Sequence, residues 1–260
     1  MMSDLGLTVY GPEVARSGLT AHLDDFIHQQ RRLEIVERFF SVHSRASINA
    51  FYSLTGSTGG MHWPLVLDLF DMRPACTTIW SGPDALSSLQ KLKGNTQPAK
   101  AAPGTMRSRF YCDNPVTNLI HVSDSENIMA EELVILRNQS TGKVDEGWRR
   151  LNVGQTSHSS LLVLLRLLGA TFIETSGCDC ARTNAIRALE QARSLATANG
   201  IREPVEDYLA GHQGGLDQLL VRFGNISAWD HLILQAGLFA MPVWSSVLDA
   251  RPTQQTGVGT

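Results

Sequence analysis

The sequence lacks an excess of positive charge. It contains 22 Lys and Arg residues and 25 Asp and Glu residues, which gives a formal net charge of −3 at pH 7 and an isoelectric point near 6.2. Proteins that bind nucleic acids neutralise backbone phosphates with a surplus of basic side chains. The charge balance therefore predicts no nucleic-acid partner.

A long hydrophobic run is also missing. The most apolar segment, residues 161–173, is interrupted by Arg166 and is shorter than the ~20 residues that a membrane-spanning helix needs. We predict a buried helix that leads into a strand, and no membrane partner. The first residues lack the basic start and apolar core of a signal peptide, so we expect a cytoplasmic location.

Cysteines are few, with four in 260 residues, which is typical of a reducing compartment. Cys178 and Cys180 form a C-D-C pair, but no second Cys or His pair stands at the spacing of a zinc finger. We therefore predict no metal site and interpret these two residues as ordinary half-buried thiols.

What the sequence does contain is an alternation of strand-like and helix-like segments in its first half. Short runs rich in β-branched and aromatic residues predict strands at residues 5–11, 32–42 and 73–82. Apolar residues at helical spacing predict helices at residues 18–30, 44–56, 64–72 and 83–94. The second of these ends at Gly56, and the last begins with Pro83 and ends at Gly94.

The segment NLIHVSDS, residues 118–125, places His121 inside an apolar run. A helix is predicted from residue 123 to 136, with Ser123 as its N-cap and Glu126 three residues later, as in a capping box. Taken alone, His121 reads either as a buried core histidine or as a nucleophile at the end of a strand.

The polar segment 138–147 is predicted to be a linker between a first domain, residues 1–137, and a second, residues 148–260. The second half follows the order helix, strand, loop, helix. Residues 46–51 and 181–186 share the frame A-x-x-N-A, so a decayed internal repeat and an unrelated helical domain both stay open. Residues 220–237 would then form a helix and a strand, and residues 238–253 a helix.

Several stretches together resemble the nucleoside diphosphate kinase family over residues 7–133. They are CTTIWSGPDAL, NTQPAKAAPGT and, most specifically, PGTMRSRF followed by NLIHVSDSENIMAEEL. The resemblance implies an α/β (α+β) fold with a ferredoxin-like antiparallel sheet covered by helices. Since the second half repeats part of the element order, we expect a second, degenerate copy after it.

The resemblance also implies a chemistry in which a histidine carries the phosphoryl group between nucleotides. His121 matches this nucleophile, and Glu132 is expected to orient its ring through a serine of the S-D-S cluster, such as Ser123. ATP with Mg²⁺ would be the donor if the protein is active, and no cofactor is expected otherwise. Four further residues match positions that contact the phosphates or ribose or lie near the histidine: Thr96, Arg107, Asn118 and Tyr52.

Two cations of the family pattern are missing. Gly11 stands where the pattern K-P-D-G has lysine, and Gln90 stands where it has arginine. Because loss of one preorganised electrostatic donor typically slows a reaction by ~10²–10³, we expect strong impairment unless Arg16 or Lys93 compensates.

The aromatic residue that stacks on the nucleotide base in the family has no clear match. Phe51 and Trp63 are the candidates, although core packing is the simpler interpretation of each.

Two functions remain. One is an active or weak kinase that uses His121. The other is a degenerate kinase fold, retained as a structural part of axonemal microtubules in a cilium or flagellum, with tubulin or axonemal proteins as partners and residual binding of nucleoside di- and triphosphates. Tandem kinase-like units resemble a ciliary branch of the family, and the missing cations favour this second interpretation.

Overall fold

Alternating apolar side chains build a central sheet in the computed structural model, which describes residues 4–143, 158–170 and 181–249. Its strands are β1 Leu5–Tyr10, β2 Glu34–Val42, β3 Pro74–Ser81, β4 Ile120–Val122 and β5 Ser140–Lys143. They lie in the order β4-β1-β3-β2-β5, and every neighbouring pair is antiparallel. The order of the first four strands is that of a ferredoxin-like sheet, so the predicted fold is confirmed.

Helices cover both faces of this sheet. In the first half they are α1 Pro12–Arg16, α2 Thr20–Arg31, α3 Arg45–Ser53, α4 Trp63–Phe70, α5 Ala85–Lys93, α6 Met106–Arg109 and α7 Glu126–Asn138. In β1, Leu7 and Val9 join an apolar cluster with residues of α3, α4 and α7. Tyr10 points to the other face, into a cluster formed with α2 and α5. Successive side chains of a strand point to opposite faces of the sheet, so β1 contributes to two separate cores.

The regular elements among the described residues of the second half are all helices. They form α8 Ser160–Leu167, α9 Ala181–Ala198, α10 Arg202–Leu209, α11 Gln213–Phe223, α12 Ala228–Leu238 and α13 Met241–Asp249. The strand predicted within residues 220–237 is wrong, because Trp229, Leu232, Ile233 and Ala236 are buried at the spacing of a helix. The strand predicted after α8, and the pair Cys178 and Cys180, lie outside the described residues.

The two halves share one apolar cluster. Leu164, Ile233 and Trp244 belong to the same buried group as Leu7 and Phe51. Helix α12 packs on α4 and α8, and α13 packs on a 3₁₀ turn, Pro98–Lys100. The C-terminal helices are thereby built onto the face of the sheet that carries α3, α4 and α7.

Part of the predicted linker 138–147 is a strand instead. Residues 140–143 form β5, which pairs with β2 at the edge of the sheet. Polar, exposed residues suit an edge strand as well as a linker, and only the backbone pairing separates the two. Residues 144–157 lie outside the described residues, and the division into domains 1–137 and 148–260, with a second kinase-like copy, stays a prediction.

None of the helices in the described ranges has both the length and the apolar character needed to cross a bilayer.

Candidate active site

His121 is placed by the short strand β4. It pairs with Val9 of β1 and shares that residue's face of the sheet, while Ile120 and Val122 are buried in the opposite core. Leu119, just before the strand, has a left-handed backbone with φ of 73°. This conformation is uncommon for a residue other than glycine, and the surrounding contacts must hold it.

The imidazole ring is fixed by a buried carboxylate. Nε2 of His121 lies 2.7 Å from Oε1 of Glu132 in α7, and the Ser123 hydroxyl donates to the other oxygen of the same carboxylate. Both Glu132 and Ser123 are fully buried. A hydrogen bond to one ring nitrogen selects the tautomer, so Nε2 carries the proton, and Nδ1 has no hydrogen bond within the described residues.

This arrangement corrects two predictions. Glu132 was expected to reach His121 through a serine, but the carboxylate contacts the ring directly and the serine supports it from behind. Ser123 was also expected to cap the following helix. The N-cap is Ser125, whose hydroxyl accepts from the Ile128 amide, and the helix begins at Glu126. Ser123 is unavailable as a cap because its hydroxyl is committed to Glu132.

Two aromatic rings of α3 border the histidine. The ring centroids of Phe51 and Tyr52 lie 4.9 Å and 5.7 Å from that of His121, both edge-on. Phe51 is buried and belongs to the core, as the simpler interpretation held. Burial raises the pKa of the Tyr52 hydroxyl well above its ordinary value, so Tyr52 faces the site as a neutral group.

An open cavity of about 190 Å³ lies in front of the histidine. It brings together His121 and all four of the predicted nucleotide-binding residues, while Glu132 and Ser123 stand behind the ring. Its lining is Tyr52, Thr55, Ser57, His62, Trp63, Val66, Lys93, Thr96, Arg107, Pro115, Val116, Asn118, Ile120, His121 and Asp124.

Arg107 lies at this cavity with its donors already engaged. The residue is 3% exposed, and its N–H groups donate to the backbone carbonyls of Gly94, Asn118 and Ile120 and to the side chain of Asn118 at 2.7 to 3.0 Å. A fifth, longer contact of 3.5 Å reaches the Thr96 hydroxyl. Burial lowers the pKa of Arg107. An arginine has five N–H donors; four of them have protein acceptors at 2.7 to 3.0 Å here, so Arg107 holds the walls of the cavity together.

The two positions that lack the family cations have acquired other contacts. Nε2 of Gln90 donates to the carbonyls of Ser123 and Asp124, at 2.9 and 2.8 Å. At Gly11, a Cβ atom would lie 2.1 Å from the carboxylate of Glu13, so that carboxylate fills the space in which a side chain at position 11 would begin. Neither position supplies positive charge to the cavity.

Of the candidates for a replacement cation, Lys93 lines the cavity and Arg16 does not. The Arg16 guanidinium lies over the ring of Trp229, 4.6 Å from its centroid.

Trp63 lines the cavity with His62, a residue that the sequence prediction missed. In the sequence, the only signal for His62 was its place in the run STGGMHW between two predicted helices. A position in such a loop is weak evidence for a functional residue. Burial lowers the pKa of His62.

Metal ligands are sparse in this part of the molecule. Within the described ranges no group of three or more His, Cys, Asp or Glu side chains could hold a metal ion, and Asp124 is the carboxylate that lines the cavity. Because Mg²⁺ in nucleotide sites takes one or two carboxylates and otherwise phosphate and water oxygens, this donor set fits a magnesium ion that arrives bound to the nucleotide.

Comparison with known proteins points to the same family for the first half as the sequence motifs do. The sequence profile described as "Nucleoside diphosphate kinase" matches residues 8–141. A nucleoside diphosphate kinase from Ehrlichia canis (strain Jake) is 30% identical over 134 residues, which cover 51% of this chain and 91% of that protein. One from Symbiobacterium thermophilum is 35% identical over 71 residues, 27% of this chain and 47% of that protein.

Among solved structures, a halophilic nucleoside diphosphate kinase from Halobacterium salinarum in complex with CDP superposes with a TM-score of 0.46 at 20% identity. The superposition covers 56% of this chain and 98% of that one.

Proposed function

The chain belongs to the nucleoside diphosphate kinase family, and from this we propose that it transfers the terminal phosphate of a nucleoside triphosphate to a nucleoside diphosphate through His121. The observation that carries the proposal is the 2.7 Å contact between His121 Nε2 and the buried carboxylate of Glu132. Since a nucleophilic histidine needs one ring nitrogen fixed and the other free, this geometry supports attack by Nδ1.

The proposed reaction has two halves that mirror each other. Nδ1 of His121 attacks the γ-phosphorus, a N–P bond forms, and the bond to the β,γ-bridging oxygen breaks, so that the diphosphate leaves with that electron pair. In the second half, a terminal phosphate oxygen of another diphosphate attacks the same phosphorus and the N–P bond breaks. The Nε2 proton stays in place throughout, and the Glu132 carboxylate stabilises the positive charge on the phosphorylated ring.

The cavity residues serve this reaction by binding. Tyr52, Asn118 and Thr96 line the cavity together with His121, and we expect these side chains to contact the phosphates or ribose. Mg²⁺ bound to ATP would neutralise charge on the phosphates, and Asp124 is the cavity carboxylate that could hold it. With Arg107 engaged by the protein and two family cations absent, we expect turnover below that of a complete family site.

The alternative of a structural component in an axoneme stays a prediction. The family assignment is compatible with it, but neither the described residues nor the relatives reported above offer an observation that favours tubulin, an axonemal partner or a ciliary location. The kinase proposal is therefore preferred.

The test is formation of phosphohistidine. The protein is incubated with γ-labelled ATP and Mg²⁺, and label that is acid-labile and alkali-stable is measured in the wild type, in His121→Gly and in His22→Gly. His22 is an exposed histidine of α2 and serves as the matched control. We expect label in the wild type and in His22→Gly, none in His121→Gly, and transfer of the label to added nucleoside diphosphate.

Binding of ATP without labelling, or label that persists in His121→Gly, would contradict the proposal.

A further inference from the structure

The site must neutralise phosphates with fewer cations than the family pattern provides. Gly11 and Gln90 contribute no charge, and four of the five donors of Arg107 are engaged by protein acceptors at 2.7 to 3.0 Å, so Arg107 has at most one donor left for a phosphate. A triphosphate bound against His121 carries several negative charges, and phosphoryl transfer depends on cations and donors placed around them. A further positive group with free donors is needed at the cavity.

We propose that Lys93 is this group, and that its ammonium binds the phosphates of the nucleotide in place of the lysine and arginine replaced by Gly11 and Gln90. The inference rests on the proposed function of the site. It assigns to Lys93 direct contact with the substrate, and therefore the standing of a catalytic residue.

The contacts of Lys93 leave its ammonium available. The side chain is 21% exposed, and Nζ lies 3.9 Å from Oδ1 of Asp124 and 3.4 Å from the carbonyl oxygen of Val122. Charge-assisted hydrogen bonds are typically about 2.7–2.9 Å long, so both contacts are loose. Nζ carries three donors and can turn to a phosphate without losing a short bond.

Charge around Lys93 also favours an anion. Burial lowers the pKa of Lys93, and the nearby positive charge of Arg107 lowers it further, whereas Asp124 and Glu132 oppose the shift. An ammonium that is partly desolvated beside another cation gains more from an incoming phosphate than an exposed one. The bound phosphate would relieve the repulsion between Lys93 and Arg107.

Gln90 prepares the same corner of the cavity from one turn earlier in α5. Its amide holds the carbonyls of Ser123 and Asp124, which fixes the backbone of Asp124 relative to the helix that ends at Lys93. Gln90, which stands where the family has arginine, thus fixes the backbone at Ser123 and Asp124. The positive charge comes from Lys93, three residues later in the same helix.

The first experiment measures dissociation constants for ATP and for adenosine, which has no phosphates, by isothermal titration calorimetry. The variants are Lys93→Met, Lys93→Arg and, as the matched control, Lys91→Met, which removes an exposed lysine of the same helix. We expect Lys93→Met to weaken ATP binding about 10- to 100-fold and to leave adenosine binding unchanged. Lys93→Arg and Lys91→Met should stay within about threefold of the wild type.

The rate of labelling from γ-labelled ATP is measured on the same proteins, and we expect Lys93→Met to lower it about 10²–10³-fold. ATP binding by Lys93→Met equal to that of the wild type overturns the assignment, whether or not labelling occurs. A wild type that binds ATP through Lys93 but is never labelled overturns the kinase proposal and retains Lys93 as the phosphate ligand. A wild type that binds no ATP overturns both.

Discussion

The carboxyl group of Glu13 accepts a 2.9 Å hydrogen bond from the backbone amide of Leu119. The Leu119 carbonyl in turn accepts from the amide of Gly11, at 3.2 Å. Leu119 is the left-handed residue that turns the chain into β4 and so aims His121 at the cavity. Gly11 and the first turn of α1 therefore hold the strained turn beside the nucleophile, although more than 100 residues separate Glu13 from Leu119 in sequence.

Glu13 should make stability depend on pH. Burial raises its pKa from 4.5 to about 7, against the hydrogen bond from Leu119 and the charge of Arg107, both of which lower it. The folded protein keeps a proton that the unfolded chain releases, so this stabilisation is complete below pH 4.5 and is lost as the pH rises through 7. The loss is on the order of 3 kcal/mol.

This dependence is checked by urea unfolding of the wild type and Glu13→Gln at pH 5 and pH 8. Glutamine cannot ionise, so the unfolding free energy of Glu13→Gln, relative to that of the wild type, should be higher at pH 8 than at pH 5. Glu131→Gln, a change at an exposed site of α7, should track the wild type. A constant difference between wild type and Glu13→Gln would show that Glu13 does not titrate in this range.

Glu132→Gln should slow phosphorylation of His121 by about 10- to 100-fold. The amide can still accept from Nε2, but it lacks the charge that stabilises the phosphorylated ring. Single-turnover labelling with γ-labelled ATP measures the rate, and Glu131→Gln in the same helix is the control. Equal rates in the two variants would leave Glu132 with a packing role only.

Arg107→Lys should destabilise the fold even though it keeps the charge. Lysine has three donors where arginine has five, so at least two buried acceptors of Arg107 would lose their partner, at about 1–3 kcal/mol each. Arg109→Lys, at an exposed position of α6, should change the unfolding free energy by less than about 0.5 kcal/mol. The comparison is made by urea unfolding, and similar midpoints would contradict the bonding described for Arg107.

Gly11→Ala should weaken the hold on Leu119. The new Cβ would lie 2.1 Å from the Glu13 carboxylate, so that group must move away and release the Leu119 amide. We expect a loss of about 1–3 kcal/mol and slower labelling of His121. Restoring the family lysine by Gly11→Lys meets the same obstacle, so combining it with Gln90→Arg should bring no gain in labelling rate.

This obstacle can be tested by a double-mutant cycle. In a Glu13→Ala background, Gly11→Ala should cost much less stability, because the carboxylate that it displaces is gone. Equal costs in the two backgrounds would mean that the contact between positions 11 and 13 is unimportant.

Gly237→Ala should destabilise the C-terminal helices. Alanine normally stabilises a helix relative to glycine by about 1 kcal/mol, but here its Cβ would lie 2.1 Å from the buried Tyr208 hydroxyl and 2.7 Å from Cβ of Ser160. We expect a loss of about 1–3 kcal/mol in thermal unfolding. Gly214→Ala, whose Cβ meets Asp207 at 3.4 Å, should be neutral or stabilising; a loss there of equal size would count against this packing.

Local pattern predicted much of the first half and less of the second. Runs of β-branched and aromatic residues located β1, β2 and β3, and the family resemblance pointed to His121, Arg107 and Asn118, which line one cavity, and to Glu132 behind the histidine ring. The choice between Ser123 and Ser125 as helix cap could not be read locally, since it depends on a carboxylate that reaches back from the middle of α7.

The second half was harder for a related reason. Residues 228–238 are apolar enough to suit either a strand or a helix, and packing against α4 and α8 decides for the helix. The role of Asp113 was equally hidden. Its carboxylate accepts from the amides of Ser160 and Leu161 at the start of α8, and its carbonyl accepts from Trp244. Contacts between residues so far apart in the chain cannot be predicted from a local sequence pattern.

The apolar cluster that joins the sheet to the C-terminal helices has a consequence for how the molecule comes apart. Leu7 and Phe51 bury their side chains in the same group as Leu164, Ile233 and Trp244, so the core on this face of the sheet draws on both halves. Sheet and helices should melt together in one cooperative transition. Without α8 to α13, the first half would expose to water the apolar side chains of this cluster that the C-terminal helices now contact.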